Sequence, residues 1–270
     1  MTGEARLLET RLAFDRVAEV YDGPFGNNEV IQRMRAFLLD AVQRAVPPPA
    51  HLLDLGCGTG IDAVHLARHG YRVRAIDTSP RMVARTRARA SHEGVADRVS
   101  AMELGIEALD RLGGETFDGV YSDLGALNCV PDLAAVSARC AAALRRDGVF
   151  VASVIGRFCP WEVAYYASRG RLRRAAVRFS GEPVPVTLND GTVWTRYYTP
   201  KEFYRAFRNA FTLEATRALA LFSPPPYLTG FHRRLPLASR VLAHLDTRLG
   251  TLPLLRDAGD HFLMELRKRE

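Results

Sequence analysis

Between His51 and Asp77 the chain reads HLLDLGCGTGIDAVHLARHGYRVRAID, and here two carboxylates bracket a glycine turn. Asp54 precedes Gly56, Gly58 and Gly60, and Asp77 follows them. Carboxylates accept hydrogen bonds and attract cations, and glycines let backbone approach a ligand closely. A dinucleotide turn reads G-x-G-x-x-G and rests a pyrophosphate on a helix N-terminus. This turn reads G-x-G-x-G, with Ile61 in the sixth position. A carboxylate two residues ahead of the first glycine repels a pyrophosphate and attracts a cation. Asp77, 17 residues past Gly60, is placed to accept from both hydroxyls of a ribose.

These residues need a scaffold, and the local pattern supplies one. Leu52, Leu53 and Leu55 make an apolar strand. Ile61, Val64, His65 and Ala67 recur at helical spacing, Gly70 stops the helix, and Val73, Ala75 and Ile76 make a second strand. The unit is strand, turn, helix, strand. A ligand with a ribose, positive charge and no phosphate suits it. S-adenosylmethionine (SAM), with its sulfonium and ammonium, has those properties. Ser79 is a candidate N-cap and Pro80 a first-turn residue for the next helix, to about Glu93.

LLDLGCGTG followed by AIDTSPRMV resembles the class I SAM-dependent methyltransferases, in particular the small-molecule branch that includes the ubiquinone, menaquinone and biotin-pathway enzymes. The resemblance is strong over about residues 50 to 156, weaker over 10 to 40 and weak after 157. It implies an α/β fold: a Rossmann-like, doubly wound, seven-stranded sheet, last strand antiparallel, with N-terminal helices and two cap insertions. It implies SAM as cofactor. FDRVAEVYD would lie across the cofactor mouth, with Tyr21 beside the methionine end. The full expected cofactor set is Tyr21, Asp54, Gly56, Cys57, Gly58, Gly60, Asp77, Thr78, Met82, Gly105, Ile106, Ser122 and Asp123. Relatives commonly carry an acidic adenine contact where this chain has Gly105, so Glu103 and Glu107 are alternative sources of that carboxylate.

The rest of the chain divides around that unit within a single methyltransferase domain, 1–270. Residues 1–50 form an N-terminal helical cap of two helices, 3 to 20 and 28 to 46; 51–156 are the SAM-binding core. Within the core, the third strand is expected at Arg98 to Leu104, a helix at Pro131 to Arg145, a turn at Asp147-Gly148, and the fifth strand at Val149 to Ile155. Residues 157–198 are a first substrate-cap insertion with a hairpin at Asn189-Asp190-Gly191; 199–222 return to the core, where Thr199 and Glu202 suggest a capping box and 211 to 215 begin the sixth strand. Residues 223–260 are a second insertion and 261–270 the final strand.

Trp161, Tyr165, Tyr166 and Trp194 fit core or pocket equally, and Arg171, Arg173, Arg174 and Arg178 read as a solvated basic cluster, with recognition of an acidic group on the substrate as the alternative. Tyr21 too has an alternative reading as an ordinary helix-end aromatic.

Composition narrows the function further. The chain has 270 residues, 47% of them hydrophobic, and a formal net charge of +7. That balance permits acidic metabolites, anionic lipid or nucleic acid as partners. Amino-methylating nucleic-acid enzymes carry (D/N/S)-P-P-(Y/F) after the fourth strand, to hold a flipped base. Here the stretch is Ser122-Asp123-Leu124-Gly125, which disfavours nucleic acid. The expected acceptor is a small or lipid-like metabolite, methylated at oxygen or carbon. A non-catalytic SAM-binding partner subunit is the other alternative, favoured only by Gly105. Leucines and arginines in 223–260 leave peripheral membrane contact open.

Cys57, Cys129, Cys140 and Cys159 lack C-x-x-C spacing, so no metal site is expected. No apolar run approaches the roughly 20 residues that span a bilayer, and the N-terminus carries no leader pattern, so the expected location is cytoplasmic. Nothing requires an obligate oligomer. His232 and His244 are the candidate bases, each also readable as a surface histidine, and catalytic roles stay unassigned.

Overall fold

Strands covered by helices on both faces must be apolar on both faces. Leu52, Leu53 and Leu55 meet that requirement, and all three are fully buried. The structure, a computed structural model, describes residues 2–23 and 26–270. Helices α1 (Gly3–Val17) and α2 (Glu29–Ala45) come first. Then strands and helices alternate: β1 (His51–Leu55), α3 (Ile61–Arg68), β2 (Arg72–Asp77), α4 (Pro80–His92), β3 (Val99–Glu103), β4 (Phe117–Ser122), α5 (Leu133–Ala143) and β5 (Leu144–Ile155). The first insertion holds α6 (Pro160–Ala167), α7 (Leu172–Ala175) and the strands β6 (Val184–Leu188) and β7 (Gly191–Thr195). Next come α8 (Pro200–Phe207) and β8 (Phe211–Leu219). The second insertion holds α9 (Thr229–Arg234) and α10 (Pro236–Leu249), and β9 (His261–Lys268) closes the chain.

The main sheet runs β3-β2-β1-β4-β5-β9-β8. The first five are parallel, and β9 lies antiparallel between β5 and β8, as expected. Chain order reverses between β1 and β4. At such a reversal two loops diverge from the strand ends and leave a crevice. On one face α2, α3 and α4 pack through Leu38, Val42, Val64, Leu66 and Val83. On the other, α5 and α8 pack through Val136, Cys140, Phe203 and Phe207.

Local chemistry sets the helix starts. Asn28 accepts from the Val30 and Ile31 amides, and Ser79 Oγ accepts from the Met82 amide at 3.1 Å. Thr199 and Glu202 complete the expected capping box. Each such cap contributes about 1 kcal/mol.

Some boundaries differ from the sequence reading. The helix expected to reach Arg145 ends at Ala143, and Leu144–Ile155 is one strand, paired with β4 through a register break between Phe117 and Gly119. Asp147 takes a left-handed φ of 57° there, so the expected turn is absorbed as an irregularity within β5. The sixth strand extends to Leu219 because β9 pairs with it throughout, past a break between Leu213 and Ala215. The hairpin turns at Asn189-Asp190 as expected, and Val184↔Thr195 to Leu188↔Gly191 pair across it.

Candidate cofactor site

The β1 strand leads straight into the glycine turn. The Gly56 and Cys57 amides both donate to the Ile76 carbonyl at 2.9 Å, which folds the turn back over β2. Gly56 has φ +77°, and a β-carbon there would lie 2.5 Å from that of Ala126. Gly60 has φ +80° and sits against Thr86, where a β-carbon would come within 2.7 Å of the side chain. Any larger residue at either position pushes the turn off the sheet.

Asp77 ends β2 facing this turn. Its Oδ2 accepts from the Gly58 amide and its Oδ1 from the Ser79 amide, both at 2.9 Å. One carboxylate is thus held by backbone of two turns, those that follow β1 and β2. Loss of water around it pushes its pKa up to about 6, with the two amides pulling the other way.

A cavity of about 170 Å³ opens over these strand ends. Of the expected residues, Tyr21, Gly56, Cys57, Gly58, Asp77, Thr78, Met82, Gly105, Ile106 and Asp123 line it. Asp54, Gly60 and Ser122 stand outside the wall. Asp54 is buried behind it, where its Oδ2 accepts from Tyr121 Oη at 2.9 Å. Burial first, then Asp62, holds its carboxyl well above the usual range. Ser122 Oγ donates to the Leu55 carbonyl at 2.8 Å and ties β4 to β1.

The charged groups that do reach the cavity beyond Tyr21 include two that the sequence reading passed over, Arg35 and Asp62. Arg35, on α2, pairs with Asp62 of α3 and lies 3.9 Å from Asp123 Oδ2. Burial alone would lower the guanidinium pKa, but Asp62 and Asp123 hold it above its ordinary value. Burial raises Asp62 against the pull of Arg35. Three atoms of this cluster, Arg35 Nε, Asp62 Oδ1 and Asp123 Oδ2, are buried with no hydrogen-bond partner among the described residues. Leaving such atoms unpaired costs about 1–3 kcal/mol each, more when charged. The sequence did carry a signal. Arg35 falls four residues after Ile31 and four before Leu39, on the apolar stripe of α2.

The roof comes from α1 and the hairpin. Leu7, Thr10 and Phe14 face Val193 and Thr195 around the cavity. The Trp194 amide donates to Thr10 Oγ1 at 3.0 Å, and Trp194 Nε1 to Glu9 Oε2 at 2.7 Å. Asp15 accepts from Ser79 Oγ at 2.5 Å, and Asp22 accepts from Thr59 Oγ1 at 2.6 Å, pinning both ends of the Phe14–Tyr21 stretch. Trp194 is therefore a clasp outside the cavity wall. Trp161 also stays outside it, donating to the Phe222 carbonyl at 2.7 Å.

Other candidates fall elsewhere. His232 Nδ1 is 2.6 Å from Ser239 Oγ and His244 is exposed; neither lines the cavity. Arg178 corrects the solvated reading. It is 5% exposed and binds Glu162, Asp260 and the Gly156 carbonyl. Its neighbours Arg171, Arg173 and Arg174 are exposed. No group of three or more metal-ligating side chains occurs among the described residues.

Residues 52–148 match the family model for a methyltransferase domain. The ubiquinone biosynthesis O-methyltransferase of Methylocella silvestris is 30% identical over 219 residues, covering 73% of this chain and 78% of that protein. The chain is a class I SAM-dependent methyltransferase. The namesake from Methylobacterium sp. is 29% identical over 226 residues, covering 78% of this methyltransferase and 84% of its own length. A solved 1,6-didemethyltoxoflavin-N1-methyltransferase of Burkholderia thailandensis, with bound 1,6-didemethyltoxoflavin and S-adenosylhomocysteine, shares the fold. Its TM-score is 0.61 at 20% identity, covering all of this chain and 92% of that one.

The methyltransferase's cofactor is SAM, and the orphaned atoms fit it. SAM ends in a carboxylate and an ammonium, and the cavity offers an unpaired guanidinium nitrogen beside unpaired carboxylate oxygens. Among the described residues no helix is long and apolar enough to cross a membrane.

Proposed function

We propose that this methyltransferase seats SAM between Asp77 and the Arg35–Asp62–Asp123 cluster, and methylates an apolar small molecule at oxygen or carbon. Asp77 accepts from the ribose hydroxyls. Arg35 takes the methionine carboxylate, and Asp62 and Asp123 take the ammonium. Glycine backbone at positions 56 and 58 lies against the sugar, and Tyr21 covers the methionine end. The three unpaired buried atoms of Arg35, Asp62 and Asp123 carry this reading.

SAM supplies an activated methyl group on a sulfonium. The chain's own residues bind, orient and exclude water, and alignment of that kind contributes roughly 7–11 kcal/mol. Among the described residues the cavity wall has no histidine. Burial pushes the Cys129 thiol up to about 12 and the Tyr21 hydroxyl up to about 12, so both stay neutral near pH 7. With the wall's carboxylates assigned to the cofactor, the acceptor brings its own activation: an acidic hydroxyl such as a phenol, or an already nucleophilic carbon. Leu7, Phe14, Val130, Ile155 and Val193 in the wall support an apolar acceptor. The names of the two ubiquinone-pathway relatives favour oxygen over carbon.

Titration calorimetry with SAM and S-adenosylhomocysteine tests the seat, on wild type and Asp77→Ala. Micromolar binding that the substitution abolishes is expected; equal binding by the variant overturns the assignment of Asp77. Labelled methyl transfer to phenols of increasing alkyl length then tests the acceptor class.

A further inference from the structure

In an ordinary surface helix the apolar stripe faces the protein and the other side is polar. Helix α10 buries Ser239 and Asp246 beside the half-buried Leu242, Leu245 and Leu249, yet its outer side is apolar too. Asp246 earns its place by accepting from the Leu221, Phe222 and Ser223 amides at 2.9, 2.7 and 3.1 Å. Several aliphatic side chains of the segment are open. Leu237 is 74% exposed, Val241 61% and Leu254 94%, with Leu235 and Leu252 also exposed. Leu237 and Val241 are one helical turn apart on α10, and His244 and Arg248 continue the same stripe.

The charge around this face is mainly positive, with Asp257 at its edge paired to Arg256 at 4.0 Å. From 229 to 256 the sequence has five arginines and a single carboxylate, Asp246, which is buried and occupied. Arg234, Arg240 and Arg248 are exposed and form no ion pair among the described residues. Open leucines rimmed by unpaired arginines match a bilayer that presents anionic headgroups over an acyl interior. A second copy docked face to face would set arginines against arginines.

We propose that the α9–α10 insertion, through Leu237, Val241 and Leu254 with Arg240 and Arg248, docks this methyltransferase on an anionic phospholipid membrane. The segment is anchored for that role. Asn28 Nδ2 donates to the Pro226 carbonyl at 3.0 Å, which links the insertion to the start of α2. The proposal concerns a surface outside the cofactor cavity, and its failure leaves the cofactor seat untouched.

Flotation of the full chain with vesicles tests it. One set is pure phosphatidylcholine and the other an equal mixture with phosphatidylglycerol. The protein is expected to float with the mixed vesicles, to stay behind with the neutral ones, and to lose binding as salt rises. The double variant Leu237→Glu/Leu254→Glu is expected to bind at least about tenfold less, since two exposed leucines that would enter the bilayer are replaced by charges. Unchanged affinity of that variant for S-adenosylhomocysteine shows that it is folded. Failure of the wild type to float, or equal flotation of the variant, overturns the proposal. So does a concentration-dependent dimer in sedimentation that the variant converts to monomer, because the face would then be a contact between copies.

Discussion

Glu107 folds its carboxylate over Gly105. A β-carbon on Gly105 would lie 2.1 Å from Glu107 Oε1, so the carboxylate occupies the space that a side chain at 105 would fill. Glu107 lines the cavity, whereas Glu103 lies outside its wall, 3.3 Å from Arg11. Of the two carboxylates left open by the sequence, Glu107 is the one positioned to reach a ligand. Glu107→Gln should weaken S-adenosylhomocysteine roughly tenfold or more, the scale of a charged hydrogen bond. Glu103→Gln should leave it unchanged. Calorimetry on both variants checks the pair, and a loss confined to Glu103→Gln would reverse the assignment.

On the proposed seat Arg35 and Asp77 address different ends of the same ligand, which separates them experimentally. Arg35→Leu should weaken S-adenosylhomocysteine strongly but leave methylthioadenosine unaffected, because the latter lacks the amino-acid end. Asp77→Asn should weaken both. Arg35→Leu also strands Asp62, and breaking a buried pair costs about 3–5 kcal/mol. Denaturant unfolding should show that loss, and Asp62→Asn in the same chain should restore part of it.

On the proposed seat the pKa of Asp77 gives cofactor binding a pH dependence. Only the ionised carboxylate accepts from two ribose hydroxyls, and its pKa is raised to about 6 by loss of water. Affinity should therefore be full at about pH 8 and fall as pH drops through 6, approaching tenfold per unit below it. Asp62, also raised, adds to the slope. Asp77→Asn should bind more weakly at about pH 8 and fall less steeply. A flat wild-type profile from about pH 5 to 8 would exclude a carboxylate seat.

Arg178 joins the first insertion to β9 through Asp260 Oδ1 at 2.7 Å, and to Glu162 at 2.6 Å. Tyr227 of the second insertion donates to that same Glu162 at 2.6 Å. Arg178→Met should cost about 3–5 kcal/mol in denaturant unfolding, because two buried carboxylates lose their counter-charge. The folded fraction should still bind S-adenosylhomocysteine as wild type does, since Arg178 lies outside the cavity wall.

The frame of the fold was legible because it rests on local signals. Glycine spacing, the caps at Ser79 and Thr199, and the alternation of apolar runs each act within a few residues. The polar cluster was legible only at Asp123, because its members come from separate segments. By sequence alone Arg35 is one more charge on an amphipathic helix, and Asp62 an ordinary first-turn acid. Asp54 drew attention by standing next to the turn. Its strand position points it behind the cavity toward Tyr121, while Asp62 and Asp123 face inward. Arg178 could not be told from its exposed neighbours either, since its partners Glu162 and Asp260 lie 16 and 82 residues away.

The clasp between Trp194 and α1 has an evolutionary corollary. On the proposed reading, cofactor contacts come mainly from the strand ends and the glycine turn, and acceptor contacts from Leu7, Phe14 and Val193 in the roof. Those two sets occupy different stretches of the chain. Mutational drift in the roof can then change the acceptor without eroding affinity for the cofactor. A family model that matches only residues 52–148, about a third of the chain, accords with such a division of labour.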